Sequence, residues 1–208
     1  MDSYVTIKDI ASGEITVERS RFIAAAKHVE SEAEALEFIA SKKAQYHDAK
    51  HNCHAYALRD GISRFSDDGE PHGTAGKPML EVIEGEKLFD VCVVVTRYFG
   101  GVLLGTGGLV RAYTAATKEA LAAAERLSLE RCLEYKITCA YPDFDYLSKI
   151  TARFGNILNS DFTDKVELTA AIKAPMSADF EETLQKTFLD RVFFEVLGEK
   201  ILHTATSY

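Results

Sequence analysis

Two arginines and five glycines lie close together in the middle of the chain, in the segment RYFGGVLLGTGGLVR (residues 97–111). Glycine lets a backbone approach a ligand closely, and guanidinium groups bind phosphate or carboxylate oxygens with paired donors. No aspartate or glutamate interrupts the segment. The spacing therefore predicts an anion site at which Arg97 and Arg111 reach one crevice. The glycines of this predicted site are Gly100, Gly101, Gly105, Gly107 and Gly108.

The residues on either side of the glycines predict a strand followed by a helix. DVCVVVTRY (residues 90–98) is apolar without alternation, as expected of a strand covered on both faces. From Leu109 onward apolar residues recur at helical spacing, so a helix would begin there with Arg111 in its first turn. The free N–H groups and positive dipole end of such a helix attract anions. An alternative stays open, in which the glycines only permit tight packing of the helix on a sheet.

Two familiar phosphate-binding patterns do not fit this segment. The P-loop pattern GxxxxGK[ST] requires Gly-Lys-Ser or Gly-Lys-Thr, and neither occurs in the sequence. The dinucleotide pattern GxGxxG fails because Val110 occupies its last position. The predicted anion site is therefore of another kind.

An acidic loop, DDGEPHGTAGK (residues 67–77), is the second candidate for chemistry. Its carboxylates, Asp67, Asp68 and Glu70, are weak candidates for a divalent cation, because hard metals prefer clustered oxygens. Three carboxylates on a glycine-rich turn are also common as solvated turn formers. We expect this loop, including Thr74, to face the glycine segment across one cleft. No cofactor is predicted beyond that cation.

Further polar and aromatic residues are assigned to the same cleft. In HNCHAYAL (residues 51–58), we predict His51 and Asn52 as cleft residues and Tyr56 as a core or cleft aromatic. Tyr98 and Phe99 are candidates for stacking on an unpaired base. A zinc site is not favoured, because His51 and Cys53 share one face of a strand while His54 takes the other. No GxSxG pattern points to a nucleophilic serine.

The order of predicted elements indicates an α+β fold in two domains. Residues 1–130 read as three strands, a helix beginning after Ser31, a hairpin around Asp60-Gly61, a short helix from Pro78, and the strand and helix described above. Residues 131–208 read as β-α-β-β-α-β, the ferredoxin-like order.

Composition limits the classes of partner. The chain has 208 residues and a net charge of −8, and neither predicted domain is basic, so contact with nucleic acid would have to be local. No signal peptide or membrane span is visible, which predicts a soluble, cytoplasmic protein without a membrane partner. Four cysteines without a CxxC pair predict reduced thiols and no disulfide-linked partner.

Three segments, HNCHAYAL, FSDDGEPHGTAGKPML and VVVTRYFGGVLLGTGGLVRAY, resemble in order and spacing the signature segments of the IMPACT/YigZ family. The resemblance implies a cytosolic protein whose first domain is similar to the fourth domain of elongation factor G and to GHMP kinases. Its second domain looks like the fifth domain of that factor. Two residues depart from the family pattern, His72 where a small polar residue is common and Leu104 where lysine is common.

Together with the glycine–arginine segment, the resemblance implies a protein that binds RNA or the ribosome and acts in the regulation of translation. An enzyme acting on a phosphorylated or nucleotide-like small molecule is the first alternative, with the glycine loop holding phosphate. A protein-binding adaptor is the second alternative.

Overall fold

The structure, a computed structural model, describes residues 2–204, without the side chains of residues 203 and 204. It is an α+β protein, as predicted, and it divides into two compact units. The first unit is Tyr4–Ser128, and the second comprises residues 129–204 together with residues 2 and 3. Within the described residues, no helix is both long and apolar enough to cross a membrane.

Ten strands and five α-helices follow one another along residues 2–204. The elements up to the glycine segment are β1 (Ser3–Ile7), β2 (Ala11–Val17), β3 (Ser20–His28), α1 (Glu32–Gln45), β4 (His51–Ala57), β5 (Ser63–Ser66), α2 (Gly76–Gly85) and β6 (Val91–Tyr98). The remaining elements are α3 (Gly105–Ala122), β7 (Arg126–Cys139), α4 (Tyr141–Phe154), β8 (Gly155–Phe162), β9 (Val166–Lys173), α5 (Ser177–Phe188) and β10 (Phe193–Thr204).

The first unit is built on an antiparallel sheet in the order β2-β3-β6-β4-β5. Helices α2 and α3 cover one face of this sheet and α1 covers the other. The central strand β6 is therefore buried on both faces, which explains why its sequence is apolar without alternation. Alternate residues Val93 and Val95 pack on the side of α2 and α3, whereas Cys92 and Val94 pack on the side of α1.

Helix α3 lies very close to the sheet because small residues meet at the contact. Ala112, Ala116 and Ala120 recur on its buried face. A Cβ atom added to Gly13 on β2 would lie 2.8 Å from the backbone nitrogen of Ala120, so only glycine permits this approach. The tight-packing role considered for glycine in the sequence is thus present, at a position outside the glycine segment.

Two helix starts differ from the sequence expectation, and one agrees closely. Helix α1 begins after Ser31, whose Oγ accepts a hydrogen bond from the Glu34 backbone N–H at 3.3 Å. Helix α2 begins two residues before Pro78. Helix α3 begins at Gly105 rather than Leu109, although three of residues 105–108 are glycine. Arg111 therefore lies in the second turn of α3 and not in the first.

The second unit has the predicted β-α-β-β-α-β order. Strand β7 pairs with β9 and with β10, and β9 pairs with β8. Helices α4 and α5 pack on one face of this sheet around a buried cluster that includes Tyr135, Leu147 and Phe180. All four cysteines of the chain are buried and unpaired.

Candidate functional site

The centre of the candidate site is an ion pair between Arg97, at the end of β6, and Glu70 of the acidic loop. The Arg97 Nη1 atom donates to Glu70 Oε1 at 2.7 Å. Both residues are buried, with 6% of Arg97 and 8% of Glu70 exposed. By strand alternation Arg97 follows Val95 on the sheet face that α2 and α3 cover. The two predicted halves of the cleft are therefore joined directly, and Arg97 does not face an open crevice.

A tyrosine and a cysteine extend this ion pair into the core. The Tyr113 hydroxyl donates to Glu70 Oε1 at 2.8 Å, and the Cys53 thiol donates to the Tyr113 oxygen at 3.4 Å. Burial, followed by the neighbouring Cys53 and Glu70, raises the pKa of Tyr113 far above its usual range. Burial likewise raises the pKa of the Cys53 thiol. Both groups therefore stay protonated at neutral pH, and Cys53 is not a nucleophile.

The opposite side of Arg97 holds the glycine segment against the turn between β2 and β3. Arg97 Nη2 lies 3.4 Å from Ser20 Oγ, which also accepts a hydrogen bond from the Gly100 backbone N–H at 3.2 Å. The guanidinium carbon lies 5.5 Å from the ring centre of Phe22 and 5.6 Å from that of Phe99. The Arg97 Nε atom is buried without a hydrogen-bond partner among the described residues. We infer that Arg97 organises three loops.

Gly100 is required where these loops meet. A Cβ atom added to Gly100 would lie 2.0 Å from the carbonyl carbon of Arg19, which is backbone and cannot move aside. Gly101 and Gly105 have φ values of +87° and +66°, a region in which side chains other than glycine are strained. A Cβ at Gly101 or Gly105 would meet nothing within 4 Å, so these two glycines serve backbone conformation and not packing.

The first carboxylate of the acidic loop, Asp67, caps helix α2. Its side chain accepts backbone hydrogen bonds from Gly73, Ala75 and Gly76, at 2.7, 3.0 and 2.8 Å. Burial alone would raise the pKa of Asp67, but these three donors outweigh it and hold the pKa below its usual value. Thr74, which is also buried, turns its hydroxyl to the Pro71 carbonyl at 2.6 Å.

The second carboxylate, Asp68, ties the loop to β4 and α1. Asp68 accepts from Lys43 Nζ at 2.6 Å and from the Asn52 backbone N–H at 2.7 Å. Its backbone carbonyl lies 2.9 Å from His51 Nδ1, and since a carbonyl only accepts, Nδ1 carries the proton. His51 is half-buried and pairs with Arg97 across β4 and β6.

All three carboxylates of the acidic loop are thus occupied by protein donors. Asp67 binds backbone N–H groups, Asp68 binds Lys43, and Glu70 binds Arg97 and Tyr113. Among residues 2–204, no group of three or more histidine, cysteine, aspartate or glutamate side chains is arranged to hold a metal ion. The acidic loop acts as a structural junction in this arrangement.

Three residues assigned to the cleft lie on the other face of the sheet, beneath α1. Asn52 is buried and accepts a hydrogen bond from Thr96 Oγ1 at 2.7 Å. Tyr56 is a core residue whose hydroxyl donates to Glu32 at 2.6 Å. Tyr98 follows Thr96 on this face by alternation, and its hydroxyl donates to Asp48 at 2.7 Å. The structure therefore does not bring these three together with Arg97 and the glycines.

The first turn of α3 presents free backbone donors. Gly105, Thr106 and Gly107 are exposed, and within residues 2–204 neither a side chain nor a carbonyl outside the helix accepts from their N–H groups. That turn contains no acidic residue. A Cβ added to Gly107 would lie 3.7 Å from Arg111 Nη1, so the Arg111 guanidinium lies over this turn. Arg111 is exposed and makes no ion pair or hydrogen bond within the described part of the chain.

A pocket of about 520 Å³ adjoins this turn. Its polar boundary includes Arg111 and Glu18, and Gly108 contributes backbone. Its apolar lining comes from Val17, Val102, Leu103, Leu104, Ala112 and Ala115. Arg97 does not line this pocket, so the two predicted anion ligands, Arg97 and Arg111, belong to different surroundings.

Several residues of this region were not identified from the sequence. Three of them are distant in the chain from the glycine segment, namely Val17, Glu18 and Ser20. The fourth, Tyr113, is buried in the helix that follows that segment. For Tyr113, the helical spacing of apolar residues from Leu109 onward indicates only a buried position. Its hydroxyl offered the one usable signal, because a buried tyrosine normally requires a hydrogen-bond partner.

The fold and the site together define a two-unit α+β protein with a glycine-rich junction between a central buried strand and a helix. A family model described as the Impact N-terminal domain matches residues 18–121, a span that contains the acidic loop, the glycine segment and both arginines. The chain belongs to the IMPACT family, as the sequence motifs predicted.

Named relatives support this assignment along the chain. An IMPACT family member of Haemophilus influenzae is 35% identical over 203 residues, covering 95% of this chain and 98% of the relative. The family member YigZ of Escherichia coli is 38% identical over 176 residues, covering 81% and 85%. YvyE of Bacillus subtilis is 51% identical over 123 residues, covering 58% of this chain and 57% of YvyE.

A solved structure also matches most of the chain. It is a crystal structure of a protein described as hypothetical, 33% identical, with a TM-score of 0.63. The match covers 93% of this chain and 97% of that protein. The likeness therefore extends over both units, although the description attached to that structure carries no activity.

Proposed function

We propose that the first turn of α3 binds a phosphate group of single-stranded RNA, and that the protein acts in translation as an RNA- or ribosome-binding component. The observation that carries this proposal is the turn Gly105–Thr106–Gly107 beneath the guanidinium of Arg111, neither of which has a hydrogen-bond or ionic partner outside α3 in the described part of the chain. Unpaired N–H groups and the positive end of a helix dipole attract anions, and a guanidinium adds a paired donor. The role of Arg97 is to position the glycine segment.

The charge of the protein supports a small footprint. A net charge of −8 disfavours broad electrostatic attachment to a polyanion, whereas one turn and one arginine reach one or two phosphates. On single strands the logarithm of affinity falls by about 0.7 for each phosphate neutralised per tenfold rise in salt. We therefore expect a slope of about −1, much shallower than that of a basic nucleic-acid-binding surface.

The translation role rests on kinship, not on the geometry of the site. Membership of the IMPACT family and the resemblance of the motifs to a superfamily containing the fourth domain of elongation factor G support it. A fold analogy of this kind suggests a role but does not define it. Binding to ribosomal RNA is accordingly the first form of the proposal to test.

A small phosphorylated molecule is the second candidate ligand. The pocket of about 520 Å³ beside Arg111 supports it, because most of its lining is apolar and its few polar groups are at the boundary. An enzymatic role would need a catalytic group at this pocket. Glu18 is the carboxylate that lines it, and Cys53 is buried elsewhere in the core.

The decisive experiment places a charge on the first turn without removing any contact. Thr106 is exposed, so Thr106→Asp should fold and should stabilise the helix start through the dipole. Thr106→Asn is the neutral control of the same size. Fluorescence anisotropy with a short labelled single-stranded RNA should show binding to wild type and Thr106→Asn, and strong loss in Thr106→Asp and Arg111→Ala.

Equal binding by all four proteins would overturn the assignment to this turn. Failure of wild type to bind any RNA, together with thermal stabilisation by a sugar phosphate that Thr106→Asp abolishes, would favour the small-molecule candidate. If the protein neither binds RNA nor is stabilised by a sugar phosphate, the proposed anion site is wrong and a protein partner is favoured.

A further inference from the structure

The pocket beside α3 is formed between two segments that are locked together. One wall comes from the turn between β2 and β3, with Val17 and Glu18, and the other from Val102, Leu103 and Leu104 before α3. Gly100 and Arg19 join these walls, because the Gly100 position lies against the Arg19 backbone and Gly100 N–H donates to Ser20. Contacts within the fold therefore fix the two sides of the pocket relative to each other.

The two charged groups at the pocket are both unpaired. Neither Glu18 nor Arg111 makes an ion pair or hydrogen bond within residues 2–204. The remaining side chains at the pocket are apolar. A complementary occupant therefore has an anionic group for Arg111, flat or apolar faces for the walls, and hydrogen-bond donors on one edge for the Glu18 carboxylate.

We propose that this pocket holds the base of the nucleotide whose phosphate binds at α3, and that Glu18 selects bases carrying an exocyclic amine. This inference rests on the proposed function and deepens it by naming the ligand class. A nucleobase has apolar faces and a polar edge, and a glutamate accepts hydrogen bonds from an amine such as N4 of cytosine. Uracil lacks that amine and should bind less tightly.

The size and lining of the pocket agree with such an occupant. Pockets for small molecules measure about 300–1,000 Å³, are mostly apolar, and use a few polar groups to fix orientation. At about 520 Å³, this pocket falls inside that range. Leu103 is 87% exposed, so a base seated against it would also bury apolar surface.

The backbone at Glu18 provides a variant that separates recognition from folding. Glu18 and Arg19 form a two-residue hairpin turn in which both have positive φ, 45° and 67°. Asparagine adopts that conformation more readily than glutamate or arginine, so Glu18→Asn and Arg19→Asn should both preserve or stabilise the turn. Only Glu18 lines the pocket, so only Glu18→Asn should change base selection.

The experiment compares nucleotides that share the phosphate. Isothermal titration calorimetry measures the binding of four ligands: the 5′-monophosphates of cytidine, adenosine and uridine, and ribose 5-phosphate. Each ligand is titrated into wild type, Glu18→Asn, Arg19→Asn and Ala115→Phe. In wild type and Arg19→Asn, the cytidine nucleotide should bind about tenfold more tightly than the uridine nucleotide. In Glu18→Asn the ratio of the cytidine to the uridine nucleotide affinity should fall to about one. In Ala115→Phe the affinity for every nucleotide should fall to the affinity for ribose 5-phosphate.

The outcomes distinguish this inference from the proposed function. If wild type binds all four probes equally and Thr106→Asp abolishes that binding, the phosphate site stands and the base pocket is wrong. If the cytidine preference persists in Glu18→Asn, selection by Glu18 is wrong. If no probe and no RNA binds wild type, both proposals fall.

Discussion

Arg97 Nη1 and Glu70 Oε1 lie 2.7 Å apart in the interior, and their ion pair joins the glycine segment to the acidic loop. Tyr113 donates to the same Glu70 oxygen from α3, so one carboxylate oxygen connects a strand, a loop and a helix. A buried charge without its partner is strongly unfavourable. The pair therefore determines how the segments around the pocket are held.

The first prediction concerns removal of the arginine. Arg97→Ala leaves the Glu70 charge buried with only the Tyr113 hydroxyl, and should lower the free energy of unfolding by about 3–5 kcal/mol. Arg21→Ala is the matched control, because the Arg21–Glu14 pair is exposed and solvent screening should leave its contribution much smaller. Urea denaturation measures both. Similar small losses in the two variants would contradict a structural role for Arg97.

The second prediction concerns the shared oxygen of Glu70. Tyr113→Phe removes one hydrogen bond to this carboxylate and should destabilise the protein by about 1–2 kcal/mol. Because Arg97 and Tyr113 bind the same oxygen, the double variant Arg97→Ala/Tyr113→Phe should depart from additivity in a double-mutant cycle. Additive free energies would show that the two contacts are independent.

The third prediction concerns Asp67 and acid. Asp67→Ala removes the acceptor of three backbone N–H groups at the start of α2 and should destabilise the protein by about 2 kcal/mol at pH 7. The folded-state pKa of Asp67 is depressed, so its contribution is present above the unfolded pKa near about 3.9 and is lost as pH falls through the folded value. The difference in the free energy of unfolding between wild type and Asp67→Ala should therefore become smaller below about pH 4. Asp9→Ala, at an exposed aspartate, should show neither effect.

The fourth prediction separates the glycines of one segment. Gly100→Ala forces a Cβ into the Arg19 backbone and should destabilise the protein by more than about 2 kcal/mol. Gly107→Ala meets no backbone and replaces glycine by the best helix former, so it should be neutral or stabilising by up to about 1 kcal/mol. Thermal unfolding of the two variants tests this contrast. Equal losses of stability would contradict the different roles of Gly100 and Gly107.

The fold class could be predicted from the sequence because hydrophobic periodicity is local. The apolar residues of β6 do not alternate with polar ones, which predicts a strand covered on both faces. Ser31 likewise predicts the start of α1. Because glycine disfavours helix, the sequence predicts that α3 starts at Leu109. It starts at Gly105, since packing of the following turns against β2 and β3 outweighs that propensity.

The candidate site was predicted only in part. Residue types and order indicated a glycine-rich anion site with Arg111 and identified the family. The sequence predicts Asn52 and Arg97 in one cleft. The register of β4 and β6 pairs Arg97 with His51 instead, so Asn52 faces α1 while Arg97 faces α2 and α3. The pocket walls come from β2 and α3, which are about ninety residues apart, and spacing along the chain carries no signal for such a meeting.

The sequence by itself determined the α+β class, the family and the positions at which glycine and arginine accumulate, because these depend on composition and local periodicity. Only the tertiary structure decided that Arg97 is bound to Glu70, while Arg111 has no partner among residues 2–204. Both arginines look alike in the sequence. Their difference arises from burial, since a guanidinium in the interior requires a carboxylate partner and one at the surface does not.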